Sequence, residues 1–313
     1  MKVLESELTS KINQEELLRV SWYYYKMGLT QNQIAKKLKT NRVRIMKLLE
    51  MALQEGIVEI RIKDPRANLL AIEQDLINKY NLLDAVVVPT GNCSIPEINN
   101  QLGMAAAQYI NSKFTNEEIL AIGWGDSVSK TVKYLSLDEY KSFYLVSLSG
   151  GMLPMLSEWK FFAKYLNHVK ILPSPFLLLN ETTANSIYME PEVQEIFKLW
   201  DIASMALIGI GSLDKNATII EKGYISEVDT AYLKKAGVVG DILGQFFDKD
   251  GNIVPYDTDR RLIAQNIKKV KRIPNVIAVA GGMHKLEAIQ AALNGKYVKT
   301  LIIDEQVTQE LLK

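Results

Sequence analysis

Cysteine and histidine are scarce in this chain of 313 residues, and their scarcity excludes several kinds of site. A single cysteine, Cys93, cannot form an internal disulfide or a cysteine-based zinc site. His168 and His284 are the only histidines, so a histidine-rich metal centre is not expected. We therefore predict no metal and no cofactor. The low cysteine content fits a reducing cytoplasm, where we expect the protein.

Long apolar runs are also missing. No uninterrupted apolar stretch approaches the ~20 residues that span a bilayer, so no membrane partner is expected. The opening sequence, MKVLESELTSK, lacks the apolar core of a secretion signal. Hydrophobic residues make up 48% of the chain and charged residues 23%, which is typical of a globular protein. The length allows two domains.

Charge is distributed unevenly along the chain, although the net charge is only +1. Residues 1–63 carry 12 Lys and Arg against 7 Asp and Glu, and the remaining 250 carry 25 against 29. Seven basic residues and no acidic residue lie between Lys26 and Lys47. A basic end on a mildly acidic body is typical of a nucleic-acid-binding head, although a solvated basic helix has the same signature.

The first 62 residues predict a winged helix-turn-helix. Apolar spacing indicates helices over 14–27 and 31–38, and a third helix that Asn41 caps and Gly56 ends. Thr30 and Gln33 have the spacing of a capping box. Residues 57–62 alternate apolar and polar, which predicts a half-buried strand as the wing.

The third helix has the composition of a recognition helix. Its first turns carry side chains that suit base edges, and the lysines around it suit phosphates. A three-helix dimerisation module with a wet basic face is the alternative. The residues that we predict to contact DNA are Lys36, Lys37, Asn41, Arg42, Arg44 and Lys47.

Residues 63–66 read as a linker, and residues 67–313 as one α/β domain. A helix is predicted over 68–80. Apolar strands then alternate with helices, which indicates a doubly wound, mostly parallel sheet covered on both faces. The predicted strands are 85–88, 119–122, 144–148, 206–210, 276–280 and 301–303.

Four glycine-containing loops follow these strands. Ligands of such sheets bind beyond the carboxyl ends of the strands, and backbone N–H groups at helix starts favour phosphate. Ser127 can donate a hydroxyl, Lys285 can supply charge, and Asp241 can accept sugar hydroxyls or cap a helix. The predicted ligand-contacting residues are Gly123, Gly125, Asp126, Ser127, Ser149, Gly150, Gly151, Gly211, Asp241, Gly281, Gly282 and Lys285.

These motifs together resemble the sorbitol-operon (SorC-type) family of sugar-responsive bacterial transcription regulators. The motifs that carry the likeness are QIAKKL at 33–38, QEGIV at 54–58, GWG at 123–125, GIGS at 209–212, VGDI at 239–242, FFD at 246–248 and GKY at 295–297. The resemblance implies a sensor similar to phosphosugar isomerases and glucosamine-phosphate deaminases, a phosphosugar effector, and a homodimer or homotetramer. It also implies that Lys285 and the loop after Gly125 hold the phosphate and that Asp241 contacts the sugar.

Two positions depart from the family pattern. Residues 41–44 differ from the Ser-Arg-x-Thr run of relatives, so the operator sequence cannot be carried over. Ser149 stands where deoxyribonucleoside-responsive relatives carry a lysine that forms a Schiff base. We therefore expect a non-covalent effector, and the missing lysine argues against deoxyribose-5-phosphate.

The sequence thus predicts a transcription regulator of a carbohydrate operon whose operator affinity responds to a phosphorylated sugar. It is not expected to be an enzyme, and no catalytic residue is assigned. The alternative is a phosphosugar isomerase or deaminase with a basic accessory head, which the loops alone also permit.

Overall fold

The computed structural model describes residues 14–60, 67–137, 142–151 and 165–313. The chain folds into two compact units, Met1–Ala67 and Asn68–Lys313. The predicted linker, 63–66, lies outside the described residues, so the boundary at 62 stays a prediction. Within the described ranges, no helix is long and apolar enough to cross a bilayer.

The first unit, called the head below, contains the helix-turn-helix. Helix α1 spans residues 14–21 and continues as a π-helical segment, Trp22–Lys26. Helices α2 (Gln31–Lys37) and α3 (Arg42–Gln54) follow, and Thr30 and Gln33 form the predicted capping box. The head has its own small core, built from Leu17, Val20, Ile34, Ala35, Ile45, Leu48, Leu49 and Ala52.

The predicted wing strand is wrong for its described part. Residues 57–60 adopt no strand, and 61–62 lie outside the described residues. Val58 donates its N–H back to Ala52 at 3.1 Å, and Ile57 and Val58 pack onto the head core. The chain thus folds back onto α3 through two adjacent apolar residues, while Ile60 is 59% exposed, so the alternation in sequence does not correspond to a strand with one buried face.

The second unit contains ten strands in its described part, in two sheets. The strands are β1 (Asp84–Val88), β2 (Glu118–Ile122), β3 (Phe143–Ser147), β4 (Val169–Lys170), β5 (Met205–Gly209), β6 (Gly211–Ser212), β7 (Val238–Ile242), β8 (Gln245–Asp248), β9 (Asn275–Val279) and β10 (Thr300–Asp304). The larger sheet has the order β1-β10-β9-β5-β2-β3-β4, with every pair parallel. The six predicted strands all belong to this sheet and are confirmed within one residue at each end.

Helices cover both faces of the larger sheet, as predicted. Successive strand residues enter two different cores: Ala206 and Ile208 belong to one, Met205 and Leu207 to the other. The helices of the described part are α4 (Ala67–Tyr80), α5 (Ile95–Lys113), α6 (Asp126–Tyr134), α7 (Glu181–Met189), α8 (Pro191–Asp201), α9 (Thr218–Glu221), α10 (Glu227–Lys235), α11 (Ile267–Val270), α12 (Leu286–Asn294) and α13 (Glu305–Leu312).

The smaller, antiparallel sheet was not predicted. It consists of β6, β7 and β8. Leu243 and Gly244 link β7 to β8 with φ of 55° and 76°, the left-handed pair of a tight hairpin. Asp241 therefore lies in a strand opposite Gly211, and the alternative interpretation of Asp241 as a helix cap is wrong.

Candidate functional site

The residues predicted to contact DNA lie in the last turn of α2 and along the outer face of α3, including its N-cap Asn41. Asn41 caps the helix, because its side chain accepts the N–H of Arg44 at 2.8 Å. The opposite face is buried through Ile45, Leu48 and Leu49, so the helix can present only one side to a partner. All six predicted residues are exposed: Lys36, Lys37, Asn41, Arg42, Arg44 and Lys47.

Both arginines of this face already have partners within the head. Arg44 Nη2 lies 3.0 and 3.1 Å from the carboxylate oxygens of Glu16 on α1. Arg42 Nε donates to Gln31 at 3.2 Å. Between them, Val43 is 58% exposed, so an apolar side chain faces outward together with the two arginines. A DNA contact by Arg44 must therefore replace or share an existing ion pair.

A cavity of about 720 Å³ opens at the carboxyl ends of the parallel strands. Its walls come from the loops after β2 and β5, from β7 of the small sheet, and from the turn after β9. The structure brings six predicted residues together here: Gly125, Asp126, Ser127, Gly211, Asp241 and Lys285.

The start of helix α6 forms one wall of the cavity. Gly125 is its N-cap residue with φ 129°, and no side chain caps the helix. Asn99 of α5 orders the first turn, since it donates to Asp126 at 2.9 Å and accepts from Ser127 at 3.2 Å. The first N–H groups of a helix have no partner inside the helix, so this wall offers donors to an anion.

Asp241 is buried at the inner wall of the cavity. Its Oδ2 accepts the N–H of Gly244 at 3.0 Å. Its Oδ1 occupies the space that a Cβ on Gly211 would need, so position 211 admits no side chain. Burial raises the pKa of Asp241 to about 6, although the Gly244 N–H and the charge of Lys285 oppose the rise.

Lys285 ends the 3-10 turn Met283–Lys285 and lies within the field of three carboxylates. Burial lowers the pKa of Lys285, while the charges of Asp241, Asp214 and Asp126 pull it back upward. The cavity thus pairs one half-buried ammonium group with several acids, which is suited to a ligand that carries both an anion and hydroxyl groups.

The other six predicted residues do not line this cavity. Ser149 donates its hydroxyl to the neighbouring carbonyl of Gly150 at 3.0 Å. Gly150 and Gly151 donate their N–H groups to Ile263 and Ser174 at 2.9 and 2.8 Å, so this loop is used in packing. The residues of this group are Gly123, Ser149, Gly150, Gly151, Gly281 and Gly282.

Several cavity residues escaped the sequence interpretation. Asp214 accepts from the hydroxyl of Ser212 and from the N–H of Asn216, the latter at 2.9 Å. Burial opposes its ionisation, but these bonds and the nearby charges of His284 and Lys285 keep the pKa of Asp214 below its usual value. The sequence did contain one indication of this role, because Asp214 follows Gly211 of the glycine-containing loop by three residues.

Trp124 and His284 also line the cavity. The Trp124 ring packs against Phe176 and Tyr224, with centroids 4.5 and 5.5 Å apart. Trp124 therefore serves the packing and the cavity wall together. His284 is exposed and lies at the cavity. Further polar residues of the cavity were not predicted: Asn99, Ser212, Lys215, Asn216, Thr218 and Glu221.

Comparison with known proteins agrees with this geometry. A family of sugar-binding domains matches residues 64–313. The transcriptional regulator LsrR of Klebsiella pneumoniae is 34% identical over 304 residues, 96% of this chain and 93% of its own length. The deoxyribonucleoside regulator of Bacillus subtilis is 29% identical over 296 residues, which cover 92% and 94% of the two chains.

A solved structure is similar over nearly the whole chain. The full-length sorbitol operon regulator SorC of Klebsiella pneumoniae matches with a TM-score of 0.72 and 26% identity, over 96% of this chain and 98% of that chain. The likeness spans the head and the sheet domain, and these relatives are regulators of transcription.

Proposed function

Because the chain belongs to the SorC family of sugar-responsive transcription regulators, we propose that its head binds operator DNA and that its cavity binds a sugar carrying one phosphate group. The main observation that supports a phosphorylated ligand is that the uncapped start of α6 and the half-buried Lys285 line the same cavity. The two features lie far apart in the sequence, and the parallel order β9-β5-β2 brings both to the same edge of the sheet.

The phosphate lies between the start of α6 and Lys285 in this proposal. The backbone N–H groups after Gly125 and the hydroxyl of Ser127 donate to its oxygens, and the Lys285 ammonium balances its charge. A dianion beside Lys285 also favours the protonated amine, which offsets the effect of burial on that group. Asn99 keeps Asp126 directed to one side by donating to its carboxylate.

The sugar hydroxyls face the carboxylates of Asp241 and Asp214. An ionised carboxylate only accepts hydrogen bonds, so it selects ligand groups that donate. The same acids disfavour a second phosphate at this end, because like charges at close range repel. We therefore expect a sugar monophosphate to bind more tightly than the corresponding bisphosphate.

The ligand acts as an effector and not as a substrate in this proposal. Binding without a covalent bond is expected, since Ser149 has no amine and its hydroxyl is engaged in the packed loop. A ligand changes operator affinity only by as much as its own affinity differs between the two conformations of the protein. We further propose a homodimer or homotetramer that places two heads on one operator, in the cytoplasm where the DNA lies.

Thermal shift and DNA titration test this assignment. An operator duplex selected by the protein from a random library is titrated with and without sugar monophosphates, bisphosphates and unphosphorylated sugars. A monophosphate at 100 times its Kd should add about 2.7 kcal/mol to the unfolding free energy. The unphosphorylated sugar should have a much smaller effect, because the helix start and Lys285 then have no anion.

Two variants make the test specific. Lys285→Ala should lose most of the monophosphate response but keep operator binding without ligand. Lys198→Ala, on the exposed side of α8, is the matched control and should respond as the parent protein does. A monophosphate dose-response unchanged in Lys285→Ala would overturn the phosphate assignment. Steady turnover of any of these sugars would favour the isomerase or deaminase alternative.

A further inference from the structure

Asp304, at the end of strand β10, holds two elements together with one carboxylate. It is 1% exposed. Its Oδ1 accepts the N–H of Val307 at 3.0 Å and so caps helix α13. Its Oδ2 accepts the N–H of Gly282 at 2.7 Å, in the turn that follows β9. Strands β9 and β10 are parallel neighbours, so their ends bring this carboxylate to the turn.

A short chain of hydrogen bonds continues from Asp304 to Lys285. The carbonyl of Gly282 accepts the N–H of Lys285 at 2.9 Å. Gly282 therefore donates its N–H to Asp304 and accepts the N–H of Lys285 with its carbonyl. Asp304, Gly282 and Lys285 are thus linked by two hydrogen bonds, and the position of the Lys285 backbone depends on where the carboxylate lies.

The turn is shaped around the carboxylate. A Cβ on Gly281 would lie 2.6 Å from Asp304 Oδ2, so glycine at 281 lets the carboxylate reach Gly282. Gly282 itself has φ 88°, a left-handed conformation that side chains disfavour. The same two glycines were predicted to touch the ligand, but they do not line the cavity. Instead, Gly281 leaves room for the Asp304 carboxylate, and Gly282 donates its N–H to that carboxylate.

Capping a helix does not by itself require a buried carboxylate. Ser, Thr and Asn cap as well as Asp, and they avoid the cost of burying a charge. Helix capping therefore does not explain why Asp304 has a second oxygen that accepts the N–H of Gly282. We propose that Asp304 is a positioning residue for the effector site, which fixes the turn so that Lys285 faces the phosphate. This inference rests on the proposed phosphate role of Lys285.

Asp304→Ser is the variant that separates the two roles. Serine can still cap α13 through its hydroxyl, but it has no second oxygen for Gly282. Asn180→Ser is the matched control, because Asn180 caps α7 by accepting the N–H of Thr183 at 2.9 Å and Thr183 is not among the cavity residues. If Asp304→Ser does not fold, Asp304→Asn retains volume and one acceptor while its amide nitrogen cannot accept from Gly282.

Two readouts are compared in the full chain. The first is the affinity for the sugar monophosphate, which should fall roughly twofold to tenfold in Asp304→Ser, the range that one hydrogen bond contributes, and stay unchanged in Asn180→Ser. The second is the pH profile of Lys285 acetylation, followed by mass spectrometry. Its midpoint should move toward that of an ordinary lysine in Asp304→Ser, because a loosened turn exposes the amine to water. A helix cap alone would not move this midpoint.

Each outcome decides the question. A weaker affinity with a shifted Lys285 profile supports the positioning role. An unchanged affinity and profile in Asp304→Ser, while Lys285→Ala loses its response, would overturn it and leave the phosphate assignment intact. If Lys285→Ala keeps its response, the phosphate assignment is wrong, and the Lys285 profile still decides whether Asp304 positions the lysine.

Discussion

The buried carboxylate of Asp241 makes the protein less stable as the pH rises from about 4 through about 6. An unfolded aspartate loses its proton near its ordinary pKa of 3.8, whereas burial raises the pKa of Asp241 in the folded protein to about 6. Between these values the folded state binds more protons than the unfolded state. The stabilising contribution of Asp241 to the free energy of unfolding is therefore fully present below about pH 4 and is lost as the pH rises through about 6.

Asp241→Asn should therefore stabilise the protein at high pH only. The uncharged amide avoids the cost of a buried carboxylate, so the unfolding free energy at pH 8 should rise by about 2–3 kcal/mol at most. The gain should vanish near pH 4. Urea unfolding at both pH values measures this. Effector affinity should fall at the same time, because one acceptor for sugar hydroxyls is lost.

Asp248→Asn is the control with the opposite sign. Burial alone would raise the pKa of Asp248, but hydrogen bonds from Asn252 and Asp250 outweigh it and lower that pKa. Its stabilising contribution is present above its ordinary pKa and is lost as the pH falls. Asp248→Asn should therefore destabilise at pH 8. A gain for both variants at pH 8 would contradict the argument from burial.

The ion pair between Glu16 and Arg44 should restrain binding to unselected DNA. Arg44 Nη2 contacts both carboxylate oxygens of Glu16, so one cation of α3 is neutralised within the head. Glu16→Gln frees this charge. The affinity for a random-sequence duplex should then rise, and the slope of log affinity against log salt should steepen by about 0.9 for one further phosphate.

Glu15→Gln makes the same change of net charge one residue earlier. Glu15 pairs with Arg19 on the exposed side of α1, at 3.0 Å, and not with a residue of α3. Its salt slope should stay near that of the parent protein. Equal slopes for Glu15→Gln and Glu16→Gln would show that net charge, and not the release of Arg44, controls the binding.

Among the elements, those with local signals were predictable. The capping box at Thr30, the cap at Asn41 and six parallel strands follow from side-chain chemistry and apolar runs within a few residues. The antiparallel sheet β6-β7-β8 was missed because its strands are short and lie within glycine-rich sequence. The wing strand was predicted wrongly because Ile57 and Val58, although adjacent, both pack onto the head core after the chain folds back onto α3, whereas Ile60 is exposed.

The candidate site was half predictable for a similar reason. Gly125, Ser127 and Lys285 lie where a strand ends and a helical turn begins, so position along the chain indicates their place. Asn99 comes from within α5 and reaches the cavity only through packing, which no local pattern encodes. The loop at 149–151 has the same sequence signal as the others, but its N–H groups are taken by the carbonyls of other segments.

The turn between α2 and α3 offers a test at the same scale. Lys39 has φ 50°, a left-handed conformation that costs a residue with a side chain roughly 1–2 kcal/mol. Lys39→Gly removes that strain but adds freedom to the unfolded chain, so the net gain should be about 0.5–1 kcal/mol. Hydrogen exchange of the amides in α2 and α3 should slow by about twofold to fivefold.

Lys36→Gly makes the same chemical change inside helix α2. Glycine in a helix costs about 1 kcal/mol, so exchange of the same amides should become faster. Both substitutions remove one positive charge, and the comparison therefore isolates backbone conformation. Faster exchange in Lys39→Gly would indicate that the lysine side chain stabilises the turn by more than its backbone strain costs.

At the scale of the whole molecule, the two parts of the chain carry opposite net charges. The first 63 residues carry a net +5 and the remaining 250 a net −4, from the counts of 12 against 7 and 25 against 29. A positive region attracts the phosphate backbone and a negative one repels it. If the head binds operator DNA as proposed, this charge distribution favours DNA at the head over DNA at the acidic unit. An effector bound in the acidic unit then changes operator affinity only if the two binding events are coupled.

Such coupling has a reciprocal consequence. If the effector changes operator affinity by a given factor, saturating operator must change effector affinity by the same factor, because both paths lead to the same ternary complex. We expect a factor of about 5–150, the usual range that coupling free energies produce.

Calorimetric titration of the sugar monophosphate into the free protein and into the operator-bound protein measures the change in effector affinity. Operator titration with and without the monophosphate measures the change in operator affinity. A random duplex that occupies the head without selecting one conformation is the control, and it should change effector affinity much less. If operator affinity responds to the monophosphate while effector affinity is the same with and without operator, the response does not arise from coupled binding within this protein.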